Sequence, residues 1–294
     1  MAQIETVDVL QHLGESLRTG WRRYRKRLKR CQKHFSEDAV HAARVETRRL
    51  LSTLELVGAF IPEPDLRKAR RSLKRHLDVF DRLRDTQVQL NYVGRMATTF
   101  SDAWPFHRWL EKRRERFARK TRRSVKQIKS RRLSRRIAAF QKELRRQRKK
   151  TAPKEAIIMV QRAIHRAFQR VAVLCRDVRA ADTQTIHRTR LAFKRFRYMV
   201  EAMGPLLPSV TREHLRAMRG YQCMMGDIQD FEVLLAAWNK YARKGEIETA
   251  AARRLKIELT RWRRMLIRIY LNAAGRLQRF WPPSSVPKRA NPSP

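Results

Sequence analysis

The chain has 294 residues, 42% of them hydrophobic, and sets 70 Lys and Arg against 27 Asp and Glu, a formal net charge of +43. That length and apolar content suffice to bury a core, in one large domain or two ordinary ones, so the charge belongs to a folded protein. A compact body so charged repels itself and attracts polyanions, which leaves nucleic acid, anionic membrane and inorganic phosphate polymers as ligand classes.

The N-terminal stretch MAQIETVDVLQHLGE is acidic where a secretory signal is basic, and no window approaches 18 uninterrupted apolar residues. Neither export nor a membrane span is expected. Cys31, Cys175 and Cys223 are odd in number and widely spaced in apolar helical sequence, and are expected to be reduced core residues of a cytosolic protein. Only six of the 11 prolines precede Pro282, and no β-branched run ends in an Asn-Gly or Asp-Gly turn. So sparse a use of breakers predicts an all-α protein.

In chain order, Ser36 followed by Glu37 and Asp38 reads as a helix cap and acidic first turn. The helix it opens, VHAARVETRRLLSTLELV, places His41, Arg44, Arg48, Ser52 and Glu55 on one stripe. Ala43, Thr47, Leu50, Leu54, Val57 and Ile61 fall on the opposite side. His34, Asp38 and His41 have the spacing of a metal-binding face, but a cap at Ser36 breaks the helix between them, so no metal site is expected. Helix breaks are expected at IPEPD (61–65), around Ala103 to Pro105, at TAPKE (151–155), at GPLLPS (204–209) and at RKGE (243–246). The segment from Lys112 to Lys150 holds 20 Lys or Arg and only two acids, Glu115 and Glu143, and most of its charge is expected on solvated faces.

Past the midpoint, Asp182 or Thr183 caps a second amphipathic helix, IHRTRLAFKRFRYMVEAM. Here His187, Arg190, Lys194, Arg197, Tyr198 and Glu201 share a stripe, with Ile186, Phe193, Phe196, Val200 and Met203 on the apolar side. His41, Arg44, Arg48, Arg49, Glu55 and Pro62 match His187, Arg190, Lys194, Arg195, Glu201 and Pro208 at a constant offset of 146. Beyond the proline, Leu73, Asp85, Val88 and Leu90 match Met218, Asp230, Val233 and Leu235 at 145. A repeat of this length is a duplicated helical subdomain, with residues 1–150 as the first half, 151–281 as the second, and 282–294 as a disordered tail.

Each stripe joins His, Arg and Lys to a helix start, where the dipole favours anions. Arg supplies planar forks for phosphate oxygens, Lys a mobile charge, and His a donor whose charge a ligand can raise. Glu55 and Glu201 read as buttresses that orient these cations, and Asp85 and Asp230 as partners for a stripe arginine from the neighbouring helix. No P-loop, HExxH or His-x-x-x-His occurs, so neither an enzyme nor a cofactor is expected.

The motifs VHAARVETRRL and IHRTRLAFKRFRYMVE, followed by LDVFDRLRDTQVQL and CMMGDIQDFEVLL, resemble the CHAD family, the conserved-histidine α-helical domain, from about Val9 to Trp281. The resemblance implies two similar helical bundles about a pseudo-twofold, a basic groove or cavity between them that binds inorganic polyphosphate, and association with polyphosphate granules in the cytoplasm. Carried over by position, it implies that His41, Arg44, Arg48, Arg49, His187, Arg190, Lys194, Arg195 and Arg197 contact polyphosphate. The first copy departs from the second in having Leu51 opposite Arg197 and Ser52 opposite Tyr198. Sequence-independent binding of nucleic acid through Lys112 to Lys150 is the alternative, because charge alone does not separate one phosphate polymer from another. Base readout calls for aromatics, Asn or Gln beside the cations, and on the stripes only Tyr198 qualifies, which favours an all-phosphate ligand.

Overall fold

The computed structural model describes residues 8–207, 209–243 and 250–281. Among them the chain forms nine α-helices: α1 (Val9–Lys33), α2 (Glu37–Val57), α3 (Glu63–Ala97), α4 (Trp104–Lys126), α5 (Arg131–Arg148), α6 (Pro153–Arg176), α7 (Thr183–Met203), α8 (Arg212–Tyr241) and α9 (Ala250–Ala273). The fold is all-α and built of two similar halves. The expected tail from Pro282, the residues before Asp8, Pro208 of the repeat and the RKGE break beyond Arg243 lie outside the described residues.

Local chemistry sets the helix ends. Ser36 accepts a hydrogen bond from the Ala39 amide, so α1 and α2 are separate helices and His34 is not in register with His41. Asp182, rather than Thr183, caps α7, accepting from the Gln184 amide. Proline opens α6 at Pro153, inside the expected break, where its missing N–H costs nothing. A further break at residues 127–130 divides the basic segment between α4 and α5. It lacks Pro and Gly, which is why the punctuation of the sequence does not reveal it.

Helices pair in chain order, α1 with α2, α3 with α4, α6 with α7 and α8 with α9. The apolar faces do the pairing: Leu133, Ile137, Phe140 and Leu144 recur along α5 at helical spacing, are all buried, and seat α5 on α1. The halves meet through α2 against α7 and α3 against α8. Contacts of a helix with its own equivalent fit a twofold relation between the halves; among the described residues α5 has no equivalent in the second half. Every residue on the expected apolar sides of α2 and α7, from Ala43 to Ile61 and from Ile186 to Met203, is buried.

The core forms two clusters. The larger draws on helices from both halves, and the smaller gathers the far ends of α3, α4, α8 and α9 around Phe106, Trp238 and Tyr241. Phe193 is fully buried, with ring centroids of Tyr221, Phe280 and Phe196 at 4.9, 5.6 and 5.9 Å. Phe193→Ala is expected to cost about 3–5 kcal/mol, read as a lowered denaturation midpoint; a loss within ordinary surface values would deny Phe193 its place in this core. Of the cysteines, Cys31 is buried, Cys175 half-buried and Cys223 exposed, and none is in a disulfide. Cys223 departs from the expected core position because α8 buries Met218, Tyr221, Met225 and Ile228, a stripe that passes it by.

Candidate functional site

The two repeated stripes do not face bulk water separately. At the α2–α7 crossing, Arg44 and Arg48 from the first half come together with Arg190, Lys194 and Arg197 from the second, close enough for each charge to act on its neighbours. Arg44 and Arg197 are almost entirely buried. Arg44 donates to Asp81 of α3 at 2.9 Å, and Arg197 donates to Glu201 at 2.7 Å and to Gln222 of α8 at 2.9 Å while lying 4.1 Å over the Tyr198 ring. Arg190 lies beside α8 where a glycine leaves room; a Cβ on Gly226 would stand 3.7 Å from its Nε.

The electrostatics of this cluster are those of crowded cations. Burial, reinforced by Arg48, Arg190, Arg44 and Arg197, pushes the Lys194 ammonium down to about 6, so the side chain is largely neutral at pH 7. Burial with Arg44 and Arg190 pushes Arg48 down to about 10, which leaves it protonated. His187 is lowered by burial and then by Arg190 and Lys194, offset in part by the Gln229 side chain. His187 Nδ1 and Arg190 Nε are buried without a hydrogen-bond partner in the protein.

Carboxylates back the cluster from α3 and α8. Burial, then Asp227 and Asp85, pushes Asp230 up to about 6 against the pull of Arg190 and Arg84. Asp85 and Asp227 are raised by burial too, and Tyr92 donates to Asp227 at 3.3 Å. Asp85 and Asp230 therefore influence the stripe arginines through space, whereas Asp81 makes the direct pair with Arg44. Asp81 sits four residues before Asp85 on the same helix face, a spacing in DRLRD that could have singled it out.

The repeated pair of adjacent basic residues splits. Arg48 and Lys194 enter the cluster, while Arg49 and Arg195, one residue and about 100° further round the helix, turn to the flanks. There Arg195 donates to Glu55 of the other half, which also holds Arg70 at 2.9 Å. Arg49 pairs with Glu46 at 3.0 Å and reaches Glu201 of the other half at 3.9 Å. The duplicated Arg and Glu positions thus form two related pairs that tie α2 to α7, and the buttress role expected of Glu55 and Glu201 extends across the halves. His41 is exposed near the start of α2, one turn before Arg44. Among the described residues no group of His, Cys, Asp or Glu could hold a metal ion, and no helix is long and apolar enough to cross a membrane.

Two solved structures share this architecture. The CHAD domain from the plant Ricinus communis aligns with a TM-score of 0.69 at 18% identity, over 90% of this chain and 92% of that one. The protein PptA from Streptomyces chartreusis aligns with a TM-score of 0.66 at 17% identity, over 91% of this chain and 99% of that one. At these identities the likeness speaks for the fold. A search of curated proteins gives no significant match. Residues 15–239, well over half of the sequence, match the CHAD domain family, and the chain therefore belongs to it.

Proposed function

We propose that the protein binds inorganic polyphosphate without transforming it, at the cationic cluster where α2 and α7 cross. Arg44, Arg48, Arg190, Lys194 and Arg197 form the centre of the site, His187 adds a donor, and His41, Arg49 and Arg195 stand at its approaches. Residues 1–150 and 151–281 act as one binding unit in this proposal, since the first supplies two and the second three of the five central residues, and the protein in turn associates with polyphosphate granules in the cytoplasm. The observation that carries it is the convergence of buried cations from both halves, costly for the ligand-free protein and offset by a polymer of phosphates.

An all-phosphate ligand is favoured because Tyr198, the aromatic residue of the stripes, already has the Arg197 guanidinium over its ring at 4.1 Å. The exposed cations of α4 and α5 support the competing reading, diffuse attraction to nucleic acid. Competition separates the two. Labelled polyphosphate bound to the intact protein, at near-physiological salt, is expected to be displaced by unlabelled polyphosphate at a far lower phosphate concentration than by duplex DNA. Equal displacement would transfer the role to bulk charge.

A further inference from the structure

The splitting of the basic pairs leaves the two flanks of the α2–α7 crossing unequal. On the first flank a cleft of about 470 Å³ holds Arg23 and Arg49 among Glu15, Glu46 and Glu201, an excess of one negative charge. Its polar groups are largely engaged: Glu15 accepts from Gln11 at 3.1 Å, and His12 Nε2 lies 3.0 Å from the Ala202 carbonyl oxygen. On the second flank the related cleft between α6 and α7 has a volume of about 740 Å³. It gathers Arg70, Arg166, Arg170, Arg188 and Arg195 against Glu55 and Glu63, an excess of three positive charges. The first flank serves as an internal control: the same fold at the same kind of crossing does not by itself create an arginine-rich cleft, so the protein's general charge is not a sufficient cause.

The arrangement is that of a receptor. Arg166 and Arg170 stand one turn apart on α6, and Arg188 and Arg195 two turns apart on the facing side of α7. Ala163, Ala167 and Ala192 between them keep the floor low and apolar. Glu55 and Glu63 are already committed, Glu63 to Arg70 at 2.8 Å and Glu55 to Arg70 and Arg195, so they fix two guanidinium planes. Among the described residues Arg166, Arg170 and Arg188 have no ion pair and keep their forks for a ligand.

We infer that the α6–α7 cleft is a second anion site, separate from the central cluster, that takes a compact oligophosphate of the size of tripolyphosphate. An excess of three positive charges suits such an anion, and guanidinium forks suit its paired oxygens. Calorimetric titration of the intact protein with tripolyphosphate is expected to show two sites. Replacing Arg166, Arg170 and Arg188 by Gln removes one of them, weakening it by about a hundredfold or more given the worth of charge-assisted hydrogen bonds. Arg48→Gln with Lys194→Gln leaves that site and removes the other. The charge-matched control, Gln at Arg122, Arg123 and Lys126 on the exposed face of α4, alters both sites only by the few-fold expected of screened charge.

Tripolyphosphate binding that the cleft variant leaves intact would overturn the second site. So would equal losses in the cleft variant and the control. Neither outcome touches the central proposal, which falls instead if the Arg48 and Lys194 variant binds long polyphosphate as the parent does. All three replacements in the cleft are at exposed residues, so circular dichroism and the thermal midpoint are expected to stay at parental values.

Discussion

Charge reversal of Arg190 and Lys194 to Glu is expected to lower the affinity for long polyphosphate by at least about a hundredfold, since each buried charge-assisted contact is worth about 1.5–3 kcal/mol. Reversal of Arg44 and Arg48 is expected to do the same, although these lie in the other half. The equivalence follows from the crossing: the basic residues of α2 and α7 form one cluster of five, so a polymer seated there loses two of its five central contacts whichever helix is altered. Reversal of Arg122 and Arg123 removes the same formal charge from an exposed face, and is expected to cost only a few-fold and to flatten the salt dependence. Glu at position 44 would stand against Asp81, so the Gln variants of the same residues serve as companions that keep the fold. Equal losses at the crossing and on α4 would reduce the central cluster to ordinary charge. An effect from one half alone would end the idea that both halves hold one ligand.

Helix periodicity made much of this arrangement legible. The apolar sides of α2 and α7 are buried as their spacing dictates, and the constant offset between the copies made two similar halves readable before any coordinates. Periodicity also placed Arg44, Arg48, Arg190 and Lys194 on stripes, but it says only which residues share a face of one helix. Which face meets which helix is a tertiary matter, so the fate of Arg49 and Arg195 was not readable. By position they belong with their neighbours, yet they serve the pairs that join α2 to α7. The same limit hid Asp81 and Gln222, whose roles depend on α3 and α8 lying alongside the stripes. Nor does a helical wheel show that an arginine is buried: Arg44 looks like a solvated charge until the partner helix covers it.

Lys194 gives the second large effect, in pH dependence. Its ammonium is held at about 6 by burial and by Arg48, Arg190, Arg44 and Arg197, so the ligand-free protein carries it mostly neutral at pH 7. A phosphate polymer beside it favours the charged form and raises its pKa, so binding at pH 8 is expected to take up a proton. Linkage then makes binding tighter as pH falls from 8 towards 6, by up to about tenfold per pH unit for one proton, with the gain levelling off below the ligand-free value. The neighbours on α3, α7 and α8 act in the same direction, since an anion also raises Asp85, Asp227, Asp230 and His187. Lys194→Arg keeps a permanent charge and is expected to bind more tightly than the parent at pH 8 and to lose most of the slope. Stability moves the other way. A base whose folded pKa lies below its unfolded value destabilises the fold progressively as pH falls from the unfolded value, near 10.5, to about 6, and fully below that. Lys194→Met is therefore expected to raise the thermal midpoint of the ligand-free protein, more at pH 6 than at pH 9, while weakening polyphosphate binding most at pH 6. A slope in Lys194→Arg equal to the parent's, together with a midpoint gain in Lys194→Met that ignores pH, would show that Lys194 is not the titrating group at the crossing.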